Sequence, residues 1–203
     1  MKIKHIITAL TLALSLSINI NAQSPATGAI NGHDYVDLGL SVKWATCNIG
    51  ADKPEDYGDY FAWGEAETKS VYNKDNSATY GKTSYTFLDA ASAQWGSSWR
   101  MPTKDEFQEL IDNCTWQWTT VGGHNGYMVT SKKNGNSIFL PAAGIRCGSQ
   151  LNDVEWGYYW FSSPFEDNNI SAYRLDFSSG DRRVGWNGRD RGESIRPVAD
   201  KTE

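Results

Sequence analysis

The chain has 203 residues, 19 basic side chains against 24 acidic ones and a formal charge of −5. The acidic balance argues against nucleic acid as a partner, because such domains carry a basic face. Aromatic residues make up 13% of the chain, nine of them Trp, far too many for a disordered polymer.

Residues 1–22 read as a secretory signal peptide. Lys2 and Lys4 form its charged start, Ile6 to Leu16 its apolar core and Ile20-Asn21-Ala22 its small-residue exit, so cleavage is expected between Ala22 and Gln23. The expected location is secreted, periplasmic or cell-surface. No cysteine stands at the cleavage point to carry a lipid anchor, and no later apolar run approaches the ~20 residues that span a bilayer. Removing the segment leaves 181 residues with 17 basic and 24 acidic side chains, enough for one domain that buries roughly 70% of its unfolded surface.

A flexible polar leader is expected over 23–33, followed by a single domain over 34–200. Val36, Leu38, Leu40, Val42 and Trp44 alternate with Asp37, Gly39, Ser41 and Lys43, the period of a half-buried strand. Residues 48–86 lack periodicity and read as long loops with short strand pieces such as Tyr60-Phe61-Ala62-Trp63. A weak helical stretch follows at Leu88 to Trp95.

The strongest local signal is a helix from Thr103 to Cys114. Thr103-Lys104-Asp105-Glu106 is a capping box behind Pro102. Phe107, Leu110, Ile111 and Cys114 then share one helical face. The second half reads as strands. Tyr127 to Lys133 and Asn136 to Leu140 flank Asn134-Gly135, a strong hairpin signal. Tyr158 to Ser162 is an aromatic strand, and Tyr173, Leu175 and Phe177 alternate before a turn at Ser178 to Asp181. Ser194 to Val198 closes the chain near a sheet edge, since it carries Pro197. The fold class is therefore α+β, with few helices, antiparallel sheets and long loops.

Three cysteines follow the leader. Outside the cytoplasm they suggest one bridge and one leftover thiol, with three reduced thiols as the alternative. The helical stripe turns Cys114 inward and Cys47 lies just past the first strand, so the expected pair is Cys47–Cys114 with Cys147 free. Their spacing lacks the close pairs of zinc sites.

Six ordered blocks carry a family resemblance. Trp44 to Ala51, Tyr57 to Glu65, Trp99-Arg100-Met101-Pro102-Thr103, Asn113-Cys114-Thr115-Trp116, Ile138 to Gly144 and Ser194 to Val198 resemble the Fibrobacter succinogenes major paralogous domain family. The match runs from about Tyr35 to Val198. That family comprises secreted or surface proteins common in gut bacteria of the Bacteroides type. The resemblance implies a C-type lectin-like fold in which the N- and C-terminal strands pair. The Arg-Met-Pro-Thr block is also similar to one in formylglycine-generating sulfatase-modifying enzymes. Those enzymes use paired cysteines late in the chain, whereas the last cysteine here is Cys147, so that activity is not expected. Calcium-binding C-type lectins use a Trp-Asn-Asp strand, and Trp186-Asn187-Gly188 lacks the third ligand. A hard cation wants six to eight oxygens, so no metal or cofactor is assigned and calcium is an unsupported alternative.

Other chemical groups favour plain readings. Asp52, Glu55, Asp56 and Asp59 read as a solvated loop. Asp181, Asp190 and Glu193 contain no marked glycosidase pair. His33 and His124 stand in no nucleophile motif, and no catalytic residue is assigned. Trp44, Trp99, Trp116 and Trp160 are expected in the core. Trp156, Tyr158 and Trp186 accompany Arg146, Arg182, Arg183, Arg189 and Arg191 in late loops, and exposed Trp, Tyr and Arg anchor interfaces. The candidate ligand-binding face is placed at 145–157 and 181–193, through Arg146, Trp156, Tyr158, Arg183, Trp186, Asn187, Arg189 and Arg191. The expected function is a non-enzymatic exported binding module for a glycan or a surface protein. The alternatives are an extracellular enzyme acting on polysaccharide or protein, and a structural subunit of a surface assembly.

Overall fold

The computed structural model describes residues 22–201, and among these it shows twelve strands and two helices. The expected signal peptide lies outside the described residues except for Ala22. The strands are arranged in four small sheets whose named pairings are all antiparallel, which makes the chain an α+β protein.

The first sheet joins both ends of the domain. Strands β1 (Gly28–Ile30), β2 (His33–Val36) and β3 (Val42–Ala45) lie in sequence order, and β12 (Val198–Asp200) adds to β3 with Val198 opposite Trp44. Residues 23–33, expected as a flexible leader, thus contain a paired strand. The Ser24 amide donates to the Ser137 carbonyl at 3.1 Å, and the Phe139 amide donates to Gln23 Oε1 at 3.1 Å. The segment is held because its backbone groups find partners in the body of the fold.

The single strand expected over Val36 to Trp44 is instead a hairpin. Its alternation predicts burial correctly, for all five apolar residues are enclosed. The backbone nevertheless reverses at Gly39, whose φ of 71° suits a residue without a Cβ. The Asp37 carboxylate accepts the Gly39 amide at 2.7 Å and closes the turn.

Helix α1 (Ala90–Trp95) starts at Asp89, whose carboxylate accepts the Ser92 amide. Helix α2 (Lys104–Asn113) starts at Thr103 with the expected capping box complete in both directions. Its inward face carries Phe107, which meets Trp44 at 5.0 Å and Phe161 at 4.6 Å between ring centroids. Each fully buried side chain of this size stabilises the fold by about 2–3 kcal/mol.

Strands β4 (Cys114–Val121), β5 (His124–Ser131) and β6 (Ser137–Pro141) form the second sheet. The hairpin at Asn134-Gly135 occurs as expected, with Thr130 opposite Ser137. Strand β4 goes beyond the sequence expectation. It turns into β5 through Gly122 and Gly123, both at positive φ, the geometry of a two-residue hairpin loop. Strands β7 (Ile145–Cys147) and β8 (Gln150–Asn152) make a small ribbon. Strands β9 (Gly157–Pro164), β10 (Ser171–Ser178) and β11 (Asp181–Gly188) make the last sheet, in the order β11-β10-β9. Residues 48–86 contain only isolated bridges, such as Phe61 to Glu193.

All three cysteines are free thiols. Cys114 belongs to the main core with Phe107 and Leu110, whereas Cys47 lines a surface hollow with His33 and Trp95. The expected Cys47–Cys114 bridge is absent because the two side chains serve different parts of the fold. Trp44, Trp99 and Trp160 are fully enclosed, and Trp116 packs on the core from its edge.

Candidate functional site

Strand alternation in the last sheet decides where the candidate residues go. Side chains of successive strand residues point to opposite faces. Tyr159, Leu175 and Phe177 enter the main core, and the paired residues Tyr173 and Trp186 share that side of the sheet. Tyr158, Arg174, Asp176, Arg183 and Asn187 lie on the other side. Trp186 and its neighbour Asn187 therefore cannot serve one surface, and the eight expected residues divide into separate groups.

The first group is Arg189 in a cleft, with Trp186 beside it through its contact with the cleft residue Phe165. A cleft of about 720 Å³ is lined by Lys82, Tyr85, Phe165, Glu166 and Arg189, among others. Phe165 carries Trp186 at 5.2 Å between ring centroids, tilted by 30°, and Trp186 is 56% exposed. Arg189 is buried, contrary to its expected place on an exposed surface. Its guanidinium lies 4.5 Å from the Trp63 ring centre and 5.1 Å from that of Tyr85. Its Nε donates to the Ser171 carbonyl at 2.8 Å, while Nη1 is enclosed and has no hydrogen-bond partner. Arg189 forms no ion pair among the described residues. Burial pushes its pKa down, with Tyr85 opposing the shift.

The cleft is built in advance. Asn168 Oδ1 accepts the amides of Ile170 and Ser171 at 3.0 and 2.8 Å, and the Arg189 amide donates to the Ile170 carbonyl. Rigid loops of this kind lower the ordering cost of binding.

The second group is a buried ionic cluster. Glu193 is fully enclosed; its Oε1 accepts from Arg174 Nη1 at 2.6 Å and from Asn187 Nδ2 at 3.0 Å, and its Oε2 has no partner. Arg174 Nε stands 2.5 Å from Asp176 Oδ1 as an ion pair without hydrogen-bond alignment. Burial pushes the Glu193 carboxyl up to about 7, against the pull of Arg174. Burial raises Asp176 as well. Burial works against the Arg174 cation, but Glu193 and Asp176 more than offset it. Tyr158 stacks under this guanidinium at 4.2 Å and is buried, with Trp156 lying parallel to it at 6.2 Å. Arg183, on the exposed side, reaches Asp176 at 3.6 Å. A carboxyl near neutral pH suits acid–base chemistry only where a substrate can reach it, and Glu193 is closed to solvent.

Arg146 and Arg191 lie apart again. Arg146 sits over the Tyr60 ring at 5.1 Å and pairs its backbone with Gly192. Arg191 Nη1 touches the exposed Cys147 thiol. Asp52, Glu55, Asp56 and Asp59 do local work: the Lys53 amide donates to Asp56, and Glu55 lies against Gly122. Among the described residues, no group of three or more His, Cys, Asp or Glu side chains is placed to hold a metal ion.

A different hollow, of about 450 Å³, is lined by His33, Cys47, Asp34, Asp52 and Trp95. Burial lowers the pKa of His33, whose ring stacks on Trp95 at 3.9 Å. It contains no enclosed polar atom left without a partner, and so makes a weaker case than the Arg189 cleft.

Trp186 and Arg189 are among the residues expected from the sequence, whereas Lys82, Tyr85, Phe165 and Trp63 are not. No local spacing marks them, because the cleft joins loops from both halves of the chain. No family model, curated protein or solved structure matches this chain.

Proposed function

We propose that this chain is an exported, non-enzymatic binding module with a C-type lectin-like fold, and that its ligand is a glycan held at the Arg189 cleft. The observation that carries this reading is Trp186, a large aromatic ring left 56% exposed and supported from behind by Phe165. An indole held this way offers a flat apolar face to a sugar ring, and Trp is enriched among the few residues that carry most of the energy at interfaces. The six-block family resemblance and the pairing of β12 with β3 support the lectin-like fold.

The test is a broad glycan array probed with the labelled protein and with Trp186→Ala. Binding that falls at least ten-fold in the variant supports the module and its location. Binding unchanged in Trp186→Ala would overturn the site, and a blank array would overturn the glycan reading in favour of a protein partner.

A further inference from the structure

Arg189 carries information about the charge of the ligand, on the premise that the cleft binds a glycan as proposed. A guanidinium presents five N–H donors and stays charged. Here the group is buried, lies over the rings of Trp63 and Tyr85, and is bonded through Nε to the neutral Ser171 carbonyl. The other arginines held inside the fold have fuller sets of partners. Arg174 meets two carboxylates, and Arg196 donates to three oxygens. A buried cation without a counter-charge is costly, and so is a buried donor without an acceptor. An oxyanion in the cleft that Arg189 lines would supply the missing counter-charge.

We infer that the ligand is an anionic sugar, with a carboxylate or sulfate beside the Arg189 guanidinium where it lines the cleft, and a ring against Trp186. Lys82 lines the same cleft and adds a second cation. The acidic residues at the cleft do not contradict this. The Glu166 carboxylate is engaged by the Tyr173 hydroxyl at 2.7 Å, and Glu166 and Asp167 are both exposed, where water and salt screen them. The Trp63 and Tyr85 faces hold the guanidinium in place, so its orientation is set before the ligand arrives.

The experiment compares, on the protein as it exists, each array hit that bears a carboxylate with its carboxyl-reduced neutral counterpart, and each sulfated hit with its desulfated form. Titration calorimetry at low and high salt gives the affinities. The expected result is at least ten-fold tighter binding of the anionic member, with the difference shrinking as salt rises. Arg189→Lys, which keeps the charge but loses the planar fork, should remove most of that preference while its thermal midpoint shows that it remains folded. Should the variant unfold, the pairwise comparison on the unaltered protein still decides the matter. Equal affinity within each pair, with Trp186→Ala still abolishing binding, overturns the anionic ligand and leaves the glycan module standing. An anionic preference and a binding that both survive Arg189→Lys and Trp186→Ala overturn the placement of the ligand at this cleft.

Discussion

Arg196 Nε donates to Asn48 Oδ1 at 3.0 Å, across 148 residues of chain and entirely inside the protein. The same guanidinium donates from Nη1 to the Ala45 carbonyl at 3.2 Å and from Nη2 to the Phe139 carbonyl at 2.9 Å. One side chain thereby ties together the segment after β3, strand β6 and the approach to β12. A second joint acts alike: Arg100 grips both oxygens of Glu106, at 2.9 and 2.5 Å, and reaches Asp200 at 2.7 Å.

Replacing Arg196 should therefore damage stability more than binding. Arg196→Met leaves three acceptors facing an apolar chain, and Arg196→Lys cannot reach all three with one ammonium. Loss of about 3 kcal/mol or more is expected for the first, because each orphaned buried acceptor costs about 1–3 kcal/mol. Asn48→Ala, which orphans Nε alone, should cost about 1–3 kcal/mol. Urea unfolding of Arg196→Met and Asn48→Ala checks this; losses below about 0.5 kcal/mol in both would mean that the arginine ties nothing together.

Gly185 tests the second centre. A Cβ built there meets the Asp176 carboxylate, whereas one on Gly180 meets nothing within 4 Å. Gly185→Ala should destabilise by about 1–3 kcal/mol, because overpacking beside a buried ion pair forces the carboxylate off Arg174. Gly180→Ala in the exposed turn should change stability by under about 0.5 kcal/mol. Equal effects from the two substitutions would show that the carboxylate moves aside freely.

The local parts of this fold are legible in the sequence and the long-range ones are not. Helix α2 is legible because its cap and its apolar stripe are both set within a dozen residues. The β5–β6 hairpin is legible because Asn134-Gly135 specifies a turn by itself. The alternation from Val36 to Trp44 reports burial, but alternation says nothing of chain direction, so the reversal at Gly39 stays hidden. Strand β4 has a usable signal in the alternation of Trp116 and Trp118 with Thr115, Gln117 and Thr119, ended by Gly122-Gly123. The strong helix just ahead masks it. Arg189 reads as a surface residue because charge is usually exposed. Its burial depends on Trp63 and Tyr85, from the first half of the chain, which no local pattern reveals.

The thiols should separate by reactivity. Cys147 is exposed, Cys47 half-buried and Cys114 buried, with burial pushing the Cys114 thiol up to about 11. A maleimide reagent at neutral pH should label Cys147 first and leave Cys114 unlabelled in the native state, since the thiolate is the reacting form. Unfolding in denaturant without reductant should expose three reactive groups. A count of one would show that a bridge forms in the isolated protein.

Glu193 gives the stability of the protein a defined pH dependence. Burial raises its carboxyl from the usual 4.5 to about 7, Asp176 adds to the rise, and Arg174 and Asn187 oppose it. Between those two values the native state keeps a proton that the unfolded chain has released. The corresponding contribution is fully present below pH 4.5 and is lost as pH rises through 7, by at most roughly 3 kcal/mol. Burial raises Asp176 too, which gives a contribution of the same sign. Thermal unfolding between pH 4.5 and 8 should therefore show a steeper loss for the wild-type protein than for Glu193→Gln, whose amide keeps an acceptor for Arg174 but does not titrate. Groups away from this cluster cancel in the difference between the two curves. Parallel curves across this window would mean that Glu193 is ionised throughout, and that Arg174 outweighs the cost of burying it.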